Sequence, residues 1–246
     1  MTILAALATD NAIEVDGDSL GGSPRIEETN VYDCTIDVAY LRTANSGALA
    51  LEVHMTSEQG ANVRQTLWMT SGTAKGGNNF YTDKSGKRKY LPGFIAANDL
   101  ALLAANKEIG SIETEEKVVK LYDYTAKEEV PTKVQMFSDL IGKPVKAGIQ
   151  LCLEDKNVKN DAGVYVPSGE TRNTMEVSKF FYAETGVTVT EAKAGVKEGE
   201  FINRWIEKNA GSIRDKSTKD AAKTGMPVGA MASNSAAPAA PTSLFA

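Results

Sequence analysis

With 246 residues, 42% of them hydrophobic and 24% charged, the chain has the composition of a globular protein with ample core material. No apolar run approaches the roughly 20 residues of a membrane-spanning helix. The net charge of -5 argues at first against a nucleic-acid partner.

The acid excess is concentrated at the start. Asp10, Glu14, Asp16, Asp18, Glu27, Glu28 and Asp33 are set against Arg25 alone over residues 1–33, so the remainder is near neutral. A local basic face is therefore permitted, and local field steers a charged partner more than the total does. Residues 1–28, with Gly17, Gly21, Gly22 and Pro24 among those acids, read as a flexible acidic arm. Their apolar start has no basic segment ahead of it and does not fit a secretory leader.

Order begins at Asn30. Over Asn30–Thr43, Tyr32, Cys34, Ile36, Val38 and Tyr40 alternate with Asp33, Thr35 and Asp37, which predicts a half-buried strand. Ala48–Thr56 follows after a short turn and reads as its hairpin partner, with Leu49, Leu51, Val53 and Met55 on one face. Ala61–Thr70 puts Val63, Leu67 and Met69 on one parity and Arg64, Thr66 and Trp68 on the other. With the first parity in the core, Arg64 and Trp68 project outward together, which is unusual unless something covers the ring.

Thr70–Phe94, TSGTAKGGNNFYTDKSGKRKYLPGF, combines Lys75, Lys84, Lys87, Arg88 and Lys89 with Phe80, Tyr81 and Tyr90. Cations meet phosphate and rings stack on unpaired bases, so this loop fits a single nucleic-acid strand. A solvated β-hairpin turning at Gly76-Gly77 and Ser85-Gly86 accounts for the same residues. Leu91-Pro92-Gly93 then opens an apolar helix over Phe94–Asn106, predicted to be largely buried and to plug one end of a sheet.

Glu116–Tyr124 and Val130–Phe137 read as a second hairpin, and Ser138–Gly142 as one helical turn. Lys143–Asp155 is a strong strand, with Val145, Ile149, Leu151 and Leu153 on one face and Lys146, Gln150 and Cys152 on the other. Lys156–Gly163 reads as a polar loop. Tyr165–Asn173, with Pro167 and Gly169, reads as irregular. Thr174–Ala183 returns to strand. Beyond Glu184 the patterning fades, apart from a short helix over Glu200–Asn209. Residues 225–246 carry three prolines and no charge and read as a disordered tail.

The expected architecture is mainly β: a Greek-key barrel of OB-fold type, with one buried helix between the third and fourth strands and disordered termini. The expected layout is an arm over 1–28, a domain over 29–183, a linker with a short helix over 184–224 and a tail over 225–246. Such folds bind oligonucleotides across the second and third strands. The candidate contacts are Arg64, Trp68, Lys75, Phe80, Tyr81, Lys84, Lys87, Arg88, Lys89, Tyr90 and Lys146.

The segments GALALEVHM, LWMTSGTAKGGNNFYTDKSGKRKYLPGF, EEKVVKLYDY, DLIGKPVKAGI and VYVPSGETRNTMEVSKFF together resemble the OB-fold single-stranded DNA-binding proteins of tailed bacteriophages. The resemblance spans about Asn30–Tyr182, and LPGF and DLIGK are its most specific parts. It implies sequence-independent coating of single-stranded DNA in phage replication and recombination, in the bacterial host cytoplasm, without catalysis. Many proteins of this type end in an acidic tail that recruits replication partners, whereas this tail is uncharged. Its terminal Leu244 and Phe245 resemble the core of peptides that dock on sliding clamps, without the usual glutamine. A frayed end is the alternative.

Chemistry for a reaction is thin. His54 is the single histidine, so a histidine relay has no reserve. Cys34 and Cys152 lack metal spacing and read as buried small hydrophobes in a reducing compartment. GTAKGGN lacks the lysine spacing of a phosphate loop. Asp33, Asp37 and Glu52 could cluster around a divalent ion, or simply form a solvated sheet face. The expectation is a protein that needs no cofactor or metal and is not an enzyme. A β-rich structural or assembly protein of a virion is the alternative.

Overall fold

A computed structural model describes residues 22, 24–123, 127–161 and 163–217. Most of the acidic arm and all of the tail with Leu244 and Phe245 lie outside these residues. The described chain is mainly β, and its principal sheet is antiparallel apart from one short strand.

Three strands form the first meander: β1 (Asn30–Thr43), β2 (Leu49–Ser57) and β3 (Asn62–Trp68). A small separate hairpin follows, β4 (Phe80–Thr82) and β5 (Arg88–Tyr90). Helix α1 (Pro92–Ala105) comes next, then the hairpin β6 (Glu115–Asp123) and β7 (Glu128–Met136). The two longest strands are β8 (Pro144–Lys159) and β9 (Tyr165–Phe181). The chain continues through α2 (Val189–Lys193), α3 (Phe201–Asn209) and β10 (Ile213–Asp215).

The sheet order is β10-β8-β1-β2-β3, with β9 on β8 and the β6–β7 hairpin on the far end of β1. The sheet is not closed by a strand ladder. Across the gap between β3 and β9, the Val177 amide donates to Gln65 Oε1 at 2.8 Å.

Two bulges decide which side chains enter the core. In β1 the register slips between Ile36 and Val38, leaving Asp37 as the extra residue. Its carboxylate accepts from Thr56 Oγ1 at 2.7 Å. Cys34 and Ile36 lie in the main core, but beyond the bulge Ala39 and Leu41 take that face. Val38 and Tyr40 turn instead into a small second core with Val134 and Met136. The unbroken alternation expected from Tyr32 to Tyr40 is thus corrected, because one inserted residue reverses every later side chain. In β9 the same happens at Ser178, between the Gly148↔Lys179 and Ile149↔Val177 pairs. Val177 and Phe180 enter the main core, while Phe181 is buried outside that cluster, with its ring near Gly148 and Phe201.

Helix α1 covers the main core through Ala97, Leu100 and Ala101, packing on β3, β8 and β9. Pro92 occupies its first turn, where a missing N–H costs nothing. Asn106, in the left-handed region at φ 53°, ends it. The helix is less enclosed than its composition suggests, since Ile95 is exposed.

Two further readings are corrected. Lys156–Gly163 and Tyr165–Asn173 read as loop and irregular chain in the sequence, yet β8 and β9 pair through Lys159↔Tyr165. Pro167 and Gly169 are accommodated by a register shift between Asp155 and Asn157, where β9 spends extra residues. Over the described part of 184–224, α2, α3 and β10 are present. β10 runs parallel to β8 at the sheet edge, and α3 buries Trp205.

Candidate nucleic-acid interface

The site is assembled around the end of β3. Val63, Leu67 and Met69 are buried in the core, so the opposite parity leaves Arg64 and Trp68 exposed. Trp68 is 41% exposed. Its main chain is pinned by the turn that opens α1. A Cβ on Gly93 would lie 2.2 Å from the Trp68 carbonyl oxygen and 2.7 Å from its nitrogen, so only glycine permits this approach.

Between Trp68 and Gly93 the chain makes a flap. A 3₁₀ turn at Thr73–Lys75 leads to Gly76 and Gly77, both with positive φ. The Ser71 amide donates to the Asn78 carbonyl at 2.8 Å, closing the base of this turn. The β4–β5 hairpin then turns over Asp83–Lys87. One Asp83 carboxylate oxygen accepts from Ser85 Oγ at 2.6 Å, the Ser85 amide at 2.8 Å and the Lys87 amide at 3.0 Å. The other lies 2.9 Å from Lys89 Nζ. Those bonds, with Ser85 Oγ and Lys89 foremost, lower the Asp83 carboxyl from 3.8 to about 2.

Trp68, Lys75, Phe80 and Tyr81 line one open groove of about 1100 Å³, together with Gln65, Thr66, Asn78 and Pro92. Its far wall is Glu176, Val177 and Ser178 of β9 and Arg214 of β10. Tyr81 is 45% exposed. The Arg88 guanidinium sits 4.9 Å over the Phe80 ring, so one face of that ring is taken. A second groove, about 520 Å³, adjoins the first and is lined by Tyr81, Lys89, Tyr90, Asp99 and Lys179. Tyr90 packs against Phe94 with ring centroids 5.0 Å apart. Lys179 Nζ donates to Asp99 at 2.6 Å.

The remaining candidates fall elsewhere. Lys84 and Lys87 are exposed at the hairpin tip. Arg64 shares the outward face of β3 but lines neither groove. Lys146 is ion-paired with Asp33 across the β8–β1 ladder and also lines neither. Glu52 takes no part in an acidic ion site with Asp33 and Asp37. It accepts instead from Thr66 Oγ1 at 2.6 Å and Arg42 Nη1 at 3.3 Å, with His54 Nε2 at 3.8 Å. Burial pushes its pKa up, but contacts with His54, Thr66 and Arg42 outweigh it, and the net shift is downward. Both cysteines are free and buried, and burial, foremost, pushes the Cys34 thiol up to about 12.

Sequence reasoning missed Glu176, Ser178 and Arg214. They lie more than a hundred residues from Trp68, and only the β9 bulge and the short β10 bring them to the groove. No family model and no curated protein matches the chain.

Proposed function

We propose that this protein binds single-stranded DNA without catalysis and with little sequence preference. The observation that carries the reading is the groove itself: Trp68, Phe80 and Tyr81 line it together beside Lys75. Aromatic faces accept any base, and cations neutralise phosphate. We read the fold as an OB-like, partly open barrel whose ligand face is β3 and the flap that follows it, the class in which such sites recur. The bond from the Val177 amide to the Gln65 side chain, where closure would fall, supports that reading. The resemblance to phage single-stranded DNA-binding proteins favours a role in phage DNA replication or recombination, with replication proteins as further partners.

Tryptophan emission tests it. Trp205 is buried at 7% exposure, so Trp68 is the accessible reporter among the described residues. Titration with poly(dT) should quench emission at low salt, and the effect should weaken as salt rises. A Trp68→Phe variant should lose the quench. Lys75→Ala should flatten the salt slope by about 0.7, the share of one phosphate on a single strand. Absence of poly(dT) binding at low salt would sink the proposal.

A further inference from the structure

A third depression, about 410 Å³, lies beside α3 and is lined by Gln150, Phe201, Arg204, Trp205 and Lys208. It shares Ser178 with the main groove, and Ser178 and Lys179 with the second. The β9 bulge is therefore the point where all three meet.

The face of α3 turned toward that point carries two cations and an aromatic ring. Phe201, Arg204, Trp205 and Lys208 recur at three- and four-residue spacing and share one side of the helix. Trp205 anchors that side. A Cβ on Gly148 would stand 3.0 Å from its ring, so the indole fills the space above a glycine of β8. With the anchor fixed, Arg204 and Lys208 are held at the surface, both exposed. The Arg204 guanidinium rests 5.6 Å over the Phe201 ring.

Charge accounting favours this face further. Lys89 is tied to Asp83, Lys179 to Asp99 and Lys146 to Asp33. Among the described residues, Arg204 and Lys208 have no carboxylate within ion-pairing distance. A strand lying on Trp68 and Tyr81 and leaving across Ser178 would meet these two cations next.

We propose that α3 carries a second phosphate-binding segment of the site, which takes the backbone of the same DNA strand after it crosses Ser178. The proposal rests on the single-stranded DNA reading of the main groove. It implies a footprint longer than the flap alone would set.

The test compares the wild-type chain with an Arg204→Ala/Lys208→Ala double variant on two probes. These are oligo(dT) of about 6 nucleotides, which the main groove can hold, and of about 25 nucleotides, which can reach α3. The variant should bind the long probe about tenfold more weakly, with a salt slope shallower by about 1.4 for two lost phosphate contacts. Its affinity for the short probe should equal wild type. An Arg204→Lys/Lys208→Arg variant should retain long-probe binding. Unchanged long-probe affinity overturns the proposal, and so does an equal loss on both lengths. Failure of the wild type on both probes overturns the groove reading itself, a separate outcome from failure of the α3 segment alone.

Discussion

Trp68 is held by its backbone and leaves part of its ring exposed. Gly93 closes on its main chain, while neighbours Leu67 and Met69 supply the burial that fixes β3. Removing the ring should therefore cost binding and little stability. We expect Trp68→Ala to weaken single-stranded DNA binding by about 1–3 kcal/mol, the range for one base–aromatic stack, with a melting temperature near wild type. Gly93→Ala should do the converse first. The added methyl collides with backbone that cannot step aside, and overpacking of that kind costs about 1–3 kcal/mol or more. Anisotropy titrations and urea melts on both variants separate the two effects. A Trp68→Ala protein that melts early yet binds normally would reassign the ring to a structural role.

The flap depends on Asp83, because one carboxylate organises the Ser85 and Lys87 amides and pairs with Lys89. Its pKa is lowered in the folded hairpin, so its contribution is present above the ordinary value of 3.8. It is lost as pH falls from there through about 2. The protection factors of the Ser85 and Lys87 amides, taken against the intrinsic exchange rate at each pH, should fall over that window while the core amides stay protected. Asp83→Ala should remove the pH dependence, and flap amides that hold steady down to pH 2 would contradict the assignment. This turn was legible in the sequence because its determinants are local: Asp83, Ser85 and Gly86 lie within one loop. So were β1, β2 and β3, whose apolar residues alternate. The bulges at Asp37 and Ser178 were not, since an inserted residue leaves no mark in a hydrophobic pattern except a change of parity. Pro167 and Gly169 misled for the opposite reason: breaker residues in a strand signal a bulge as readily as a loop.

At the scale of the whole molecule, the groove joins distant parts of the chain. Its flap side was legible because cations and rings cluster in sequence. Its β9 and β10 side was not, because Arg214 reaches it through a three-residue strand that has no periodicity of its own. That side depends on residues 184–217 staying folded onto the sheet, and Thr29 is where they are fastened. The buried Thr29 Oγ1 accepts from the Leu151 amide at 2.9 Å and donates to the Ser212 carbonyl at 2.5 Å. The Thr29 carbonyl accepts from the Gly211 amide at 2.9 Å. One residue thus links the start of β1, the middle of β8 and the turn after α3. Thr29→Val keeps the shape and removes the hydroxyl, leaving the Leu151 amide without its partner. It should cost about 1–3 kcal/mol in urea unfolding, the penalty of an unsatisfied buried group. Ending the chain at Ala183 should cost more. It removes Trp205 from above Gly148, and losing a buried tryptophan alone is worth about 3–5 kcal/mol. A chain ending at Ala183 should melt well below one ending at Ser217. Equal melting of the two truncations would mean that residues 184–217 add nothing to the fold they cover.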